Sequence, residues 1–316
     1  MDILELGIIG LGKMGGNIAR HAHELGIKVI GKDIQNFPEL EKEGITVVTD
    51  YAEFASKLTK PRVIFLSLPA GRVIDLVIDD LIPHIEKGDI LLDGGNSFFM
   101  DSKRREGELS ERGIIFLDCG TSGGVDGARH GACFMVGGIE EGIKHAKPIL
   151  EKLAVDGGYL HTGPPGSGHF VKLVHNGIEF GMLQAIGEGI SLLTQGAFKD
   201  KLDLVSILDN WAHGSVIRSW LIELMRDGLK EQGSLEKVPS FIEDTGEVNW
   251  LVQYAINNEI PLPAITQSII ELFKSRGKEF DMYRAIALMR HGFGGHPFGP
   301  DEYIQNERKT SRLSKL

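Results

Sequence analysis

The segment Lys172-Leu-Val-His175-Asn176-Gly-Ile-Glu179 carries four polar side chains at spacings i, i+3, i+4 and i+7. On a helix those spacings share one face. The flanking Phe170, Val171, Leu173, Val174 and Ile178 are apolar, and an ordinary solvated helix face would carry more charge. Oxidising a secondary alcohol needs a base for the hydroxyl proton as hydride leaves carbon, and a lysine desolvated beside a cofactor is neutral enough to serve. Lys172 is the candidate base. If the oxidised carbon lies β to a carboxylate, the product is a β-keto acid, which loses CO2 as its ketone is protonated. The recharged Lys172 can supply that proton, and Glu179 can then reprotonate the enol at carbon. The helix also holds Gly177, Gly181, Gly187 and Gly189. Each costs about 1 kcal/mol relative to Ala, which close approach of another backbone or of a cofactor ring would explain.

Hydride needs an acceptor, and the N-terminus supplies a place for one. Gly10, Gly12 and Gly15 stand in GxGxxG spacing between the apolar run LELGIIG and a helical run from Met14 to Leu25. There the glycines permit a tight turn, approach of pyrophosphate to backbone, and close helix packing. Leu11, Lys13 and Met14 complete the turn, and Leu68, Pro69 and Asn96 follow later strands where they face the same ligand. Asp33 ends the second strand. A carboxylate there accepts hydrogen bonds from both ribose hydroxyls of NAD and repels the 2′-phosphate of NADP, so NAD is the expected cofactor. The competing reading makes Asp33 a solvated strand end and gives a phosphate to Lys32.

These groups need elements to position them. Up to about residue 162, LELGIIG, KVIGKD, RVIFLSLP, DILLDGG, IIFLDC and CFMVGG each look like a strand buried on both faces, alternating with helical patterns. That alternation implies a parallel sheet covered by helices, a Rossmann-type doubly wound domain. From His169 onward helix-period segments take over at 169–195, 202–213, 216–228 and 262–276. The fold class is therefore α/β plus all-α, with a sheet domain over 1–165 and an all-helical domain for dimerisation and substrate over 166–316. The breaker-rich Thr162–Gly168 stretch marks the boundary. Asn306–Leu316, with Arg308, Lys309, Arg312 and Lys315 among polar neighbours, reads as a solvated tail.

A chain 42% hydrophobic and 25% charged is ordinary for a soluble globular protein. Its net charge of −10 argues against nucleic-acid or anionic-membrane partners. No basic, apolar leader precedes the first strand and no apolar run reaches about 18 residues, so a cytoplasmic protein is expected. Cys119 and Cys133 lack metal-ligand spacing and read as two buried thiols, with no metal site.

GLGKMGGNIA, DGGNS at 93–97, TSGGVDGARHG at 121–131 and GSGHFVKLVHNGIEFG at 166–181 together resemble the 6-phosphogluconate dehydrogenases, in their branch with a single short helical domain. The wider β-hydroxyacid dehydrogenase superfamily shares the first and third motifs and the lysine, while HNGIE marks the decarboxylating members. The resemblance implies that Lys172 and Glu179 are catalytic, and that Asn96, Ser122, Gly123, Gly124, His175 and Asn176 contact a sugar acid. Arg290 and His296, in RHGFGGH, match a closing pair that reaches into the partner subunit's site, implying a dimer or tetramer with shared active sites.

Phe180 and Asn249 depart from the family, which holds the substrate phosphate partly with a Tyr and a basic residue at those positions. Arg290 and His296, with Arg276 or Lys274, are candidate replacements. The leading expectation is NAD-dependent oxidative decarboxylation of 6-phosphogluconate to ribulose 5-phosphate. A non-phosphorylated or sulfonated aldonate, or another 3-hydroxy acid, is the alternative substrate, and a non-catalytic NAD-binding regulator the distant alternative. The segment NWAHGSVIRSW, with His213 and Arg218, serves either as ligand or as packing and interface.

Overall fold

In the first half, apolar side chains alternate between the two faces of each strand, and each face is roofed by helices. The computed structural model describes residues 4–276 and 281–311. Eight strands, β1 (Glu5–Ile9), β2 (Lys28–Lys32), β3 (Thr46–Val48), β4 (Val63–Leu66), β5 (Ile90–Asp93), β6 (Ile115–Ser122), β7 (Ala132–Gly137) and β8 (Ala154–Gly163), form one sheet in the order β3-β2-β1-β4-β5-β6-β7-β8. Helices α1 (Lys13–Glu24), α2 (Pro38–Lys42), α3 (Tyr51–Ser56), α4 (Arg72–Leu81), α5 (Phe99–Ser110), α6 (Gly124–His130) and α7 (Glu140–Leu153) lie between them. Leu6, Ile8, Phe65, Leu92 and Leu117 pack with Ile18 and Leu150 in one apolar layer. Ile9, Ile64, Leu66, Leu91 and Phe116 pack with Phe54, Ile74 and Leu109 in another. The strand order reverses between β1 and β4, where doubly wound sheets bind ligands outside the carboxyl ends of their strands.

The sheet is mixed rather than wholly parallel. β1 to β6 are parallel, but β7 runs antiparallel to β6, and β8 is parallel to β7. Only the short α6 separates β6 from β7, whereas a parallel crossover needs about a dozen residues or more. β3 and β8 lie outside the expected strands: β3 has three residues, and AVDGGYLHTG in β8 lacks an apolar run because much of this edge strand is exposed. Cys119 is buried as expected, but Cys133 is exposed, one step into β7 and opposite Ser122.

By compactness the chain divides into a sheet unit, Met1–Leu173 with Lys309–Leu316, and a helical unit, Val174–Arg308. Helix α8 (Ser167–Gln195) therefore begins in the sheet unit. It is followed by α9 (Leu204–Ala212), α10 (Trp220–Gln232), α11 (Glu247–Asn257), α12 (Pro263–Ser275), α13 (Asp281–Gly294) and α14 (Glu302–Thr310). The expected helix at 216–228 starts later, at Trp220, because the Ser219 side chain caps it by accepting the Ile222 N–H. Leu183, Ile190, Leu208, Ile222, Met225, Tyr283 and Met289 belong to the core of the helical unit. No helix among the described residues is long and apolar enough to cross a membrane.

The expected solvated tail is instead helical through Thr310, with Ser311 buried; Arg312 and Lys315 fall outside the described residues. Its anchor is Arg308, which donates to Glu243 and, at 2.8 Å, to the Asp244 carbonyl. Arg276 donates to Asp244 Oδ1 at 2.6 Å, so these two buried carboxylates are neutralised by cations. Glu247 is buried beside them, accepting from the Thr245 hydroxyl. Burial, reinforced by the Asp244 charge, pushes its carboxyl above the ordinary range. A raised folded pKa means the native state holds this proton more tightly, so stability is lost as pH rises above the ordinary 4.5 through the folded value. Glu247→Gln should therefore raise Tm at pH 8 by about 2–4 °C, with the gain shrinking toward pH 4.5. A lower Tm for the variant at pH 8 would contradict this.

Candidate active site

The nucleotide turn is built by steric exclusion. Gly10 has φ +91°, and a Cβ there would stand 2.3 Å from the Ser67 carbonyl oxygen; a Cβ on Gly15 would stand 1.9 Å from that of Gly10. Neither position tolerates a side chain. At Gly12 a Cβ would meet nothing within 4 Å, so the backbone is open there. Gly12 is also the N-cap of α1 and makes no side-chain capping bond. Open backbone at a helix N-terminus is the cradle a pyrophosphate requires, and Lys13, Met14 and Gly15 form that helix's first turn.

Asp33 follows β2, and its carboxylate accepts the Leu11 N–H at 2.7 Å and the Gln35 N–H at 3.1 Å. That arrangement fixes a negative charge beside the glycine turn. Lys32 is buried, and its Nζ sits 3.7 Å from the centre of the Tyr51 ring. Leu68 and Pro69 follow β4, with a Leu68 methyl 3.0 Å from where a Gly10 Cβ would be. Asn96 follows β5, Ser122 ends β6, and Gly123 and Gly124 turn the chain into α6 with φ of +116° and +61°. These loops all leave the carboxyl ends of parallel strands, and hence one edge of the sheet.

Lys172 belongs to the same unit. A Cβ on Gly120 would lie 2.4 Å from the Lys172 Cβ, so the missing side chain in β6 is what admits the lysine. The first turn of α8 packs equally closely: a Cβ on Gly168 would meet the Asp118 and Met135 carbonyl oxygens at 2.5 Å. Asp118, buried in β6, accepts the Gly166 N–H at 2.7 Å and the His169 N–H at 2.8 Å, one on each oxygen. A carboxylate from another strand thus caps α8. The His169 ring, three residues before Lys172, is joined through Nδ1 to Ser102 Oγ of α5 at 2.7 Å. Asp118, Ser102 and His169 are absent from the sequence-based candidates. A signal existed for Asp118, since an aspartate inside the apolar run IIFLDC must find donors to be buried.

His175, Asn176 and Glu179 continue along α8 in the helical unit, as helical spacing requires. Asn176 is buried and its Oδ1 lies 3.3 Å from His175 Nδ1. Phe180 is buried under the Arg290 guanidinium, 5.1 Å from the ring centre, and the Arg290 Nε has no hydrogen-bond partner among the described residues. His296 stands edge-on to Phe293 at 5.8 Å. Gly177 and Gly187 are explained by packing: a Cβ would come 2.4 Å from Leu251 Cδ2 and 3.0 Å from the Met282 carbonyl oxygen. Gly181 and Gly189 face open space. The candidate replacement cations are engaged elsewhere, Arg276 with Asp244 and Lys274 with Glu271 at 2.6 Å each. His213 and Arg218 are exposed and bond to local carbonyls.

Asp118→Ala would leave two buried N–H groups without acceptors, at about 1–3 kcal/mol each. The expected result is a loss of about 2–4 kcal/mol in denaturant unfolding, with amide exchange accelerated at Gly166 and His169. Asp118→Asn, with one acceptor oxygen, should fall between; unchanged exchange in Asp118→Ala would refute the cap.

Comparison with known proteins identifies the family. The family described as the NAD binding domain of 6-phosphogluconate dehydrogenase matches residues 5–163. The 6-phosphogluconate dehydrogenase C-terminal domain matches residues 168–293. An NAD(+)-dependent, decarboxylating 6-phosphogluconate dehydrogenase of Haloferax volcanii is 38% identical over 93% of this chain and 98% of its own length. An NADP(+)-dependent, decarboxylating one of Bacillus subtilis is also 38% identical, over 100% of this chain and 71% of its own. The solved 6-phosphogluconate dehydrogenase of Plasmodium falciparum superposes with a TM-score of 0.79 at 30% identity, over 86% of this chain and 62% of that one. The chain belongs to the 6-phosphogluconate dehydrogenase family.

Proposed function

We propose that the protein oxidatively decarboxylates 6-phosphogluconate with NAD, giving ribulose 5-phosphate, CO2 and NADH. The observation that carries this reading is Lys172 held against β6 at Gly120, with Glu179 two turns further along the same helix. NAD in the glycine cradle supplies the hydride acceptor. Lys172 takes the proton of the hydroxyl β to the carboxylate, then returns it to the ketone oxygen as the bond to the carboxylate carbon breaks. Glu179 delivers a proton to the enol carbon while Lys172, neutral again, takes the proton of the enol hydroxyl, completing the ketose. By resemblance to the family, Asn96, Ser122, Gly123, Gly124, His175, Asn176, Arg290 and His296 are the residues assigned to the sugar acid. A homodimer or tetramer with shared sites is supported by the apolar surface of the helical unit, where Ile178, Leu192, Val216, Ile217 and Trp220 are exposed. The two unpaired thiols suit a reducing cytoplasm.

The preference for NAD over NADP rests on Asp33 with Lys32 engaged by Tyr51. A second substrate reading, a non-phosphorylated or sulfonated aldonate, is favoured by one observation: Phe180 is buried, and Arg276 and Lys274 are committed to carboxylates. A dianion needs charge-assisted donors that Phe180 and Asn249 do not supply.

The deciding experiment follows NADH and CO2 together across 6-phosphogluconate, gluconate and a sulfonated aldonate with both cofactors. Equimolar NADH and CO2 from 6-phosphogluconate supports the proposal; NADH without CO2 would make the protein a plain hydroxy acid dehydrogenase. Lys172→Ala should lose hydride transfer by at least about 100-fold while still binding NADH, and wild-type turnover would remove Lys172 from the mechanism. Asp33→Asn, which keeps an acceptor for Leu11, should narrow the NAD over NADP ratio of kcat/KM by about ten-fold. An unchanged ratio would locate the preference elsewhere.

A further inference from the structure

Two buried arginine–aspartate pairs clamp the same two neighbouring strands, one at each end. Just before β4 and β5, Arg62 donates from Nη1 to Asp89 Oδ2 at 2.6 Å and from Nε to the Ala55 carbonyl at 2.9 Å. At the opposite end, Arg105 of α5 donates from Nη1 to Asp93 Oδ2 at 3.2 Å, from Nε to Asp75 Oδ1 at 2.8 Å, and from Nη2 to the Gly71 carbonyl at 2.9 Å. The Arg105 side chain is 1% exposed and that of Asp93 0%. A buried ion pair is weak evidence for net stability, so the partners at its tips carry more information.

Those partners shape both ligand loops. Asp93 accepts the Gly95 N–H at 3.1 Å and the Ser97 hydroxyl at 2.8 Å, holding the chain on either side of Asn96. Gly71, the N-cap of α4, closes the loop that begins with Leu68 and Pro69. The two loops touch through backbone, because a Cβ on Gly95 would stand 2.8 Å from the Leu68 carbonyl oxygen. One guanidinium therefore joins the carboxylate that forms the Asn96 turn to the carbonyl that ends the Leu68–Gly71 loop. The Arg62 pair has the same chemistry but lies at the amino ends of the strands, away from both loops.

We propose that Arg105 is a positioning residue that sets the affinity for cofactor and sugar acid together, touching neither. The inference rests on the assignment of Asn96, Leu68 and Pro69 to ligand contacts made above. Lysine retains the charge but cannot reach Asp93, Asp75 and Gly71 at once.

Arg105→Lys and Arg62→Lys are compared for NADH dissociation constant by fluorescence titration, for sugar-acid KM and kcat, and for Tm. Arg105→Lys is expected to raise both the NADH constant and KM by about ten-fold, with kcat at saturation changed by less than about three-fold. Arg62→Lys should lower Tm and leave both constants unchanged. If Arg105→Lys lowers Tm alone, or if both variants shift the constants equally, the proposal is overturned. Should Arg105→Lys fail to fold, Ser97→Ala loosens the hold of Asp93 on the Asn96 turn without removing a charge; an unchanged KM there also overturns it. The NADH constant needs no turnover, so a wild-type protein inactive on sugar acids would sink the proposed reaction while leaving this arm readable.

Discussion

The site depends first on a carboxylate that does no chemistry. Asp118, buried in β6, accepts two N–H groups from the start of α8 and so docks that helix on the sheet. Helix N-termini leave unsatisfied donors, and burying them without acceptors costs about 1–3 kcal/mol each. A charged acceptor fixed in a strand satisfies both at once and leaves the helix little freedom to slide. Lys172 stands one turn beyond, and its placement against Gly120 follows from that anchor. Ser102 of α5 braces the same turn through the His169 ring.

Close approach is the second theme, and glycine is its means. Gly15 lets α1 reach the Gly10 carbonyl, Gly120 admits Lys172, and Gly168 lets α8 lie on Asp118 and Met135. Each position forfeits a side chain that would have packed, in exchange for a backbone contact no other residue permits. Gly12 differs, because nothing among the described residues fills the space its Cβ would take. Open backbone of this kind at a helix N-terminus is what a pyrophosphate requires.

Charge is handled differently in the two units. In the sheet unit, buried Asp93 and Asp118 hold a loop and a helix terminus next to the candidate site residues Asn96 and Lys172. In the helical unit, Glu243 and Asp244 consume Arg276 and Arg308, and Lys274 is committed to Glu271. With a net charge of −10, every cation so engaged is one fewer for an anionic substrate. Arg290, buried over Phe180, has an Nε without a hydrogen-bond partner among the described residues.

The sequence by itself determined the elements with strong local grammar: the glycine turn with Asp33, the two-faced strands, the long helices, and the shared face of Lys172, His175, Asn176 and Glu179. These follow from periodicity, from steric limits on φ and from helical spacing, all of which act over a few residues. Tertiary structure alone decided what long-range partners settle. The reversal of β7 came from a connection too short for a parallel return, β8 from pairing with β7, and the folded tail from Arg308 meeting Glu243 and Asp244. Asp118 and Arg105 belong to this second group. A buried charge survives only where donors and acceptors from distant segments converge on it, and no local pattern specifies which segments those are.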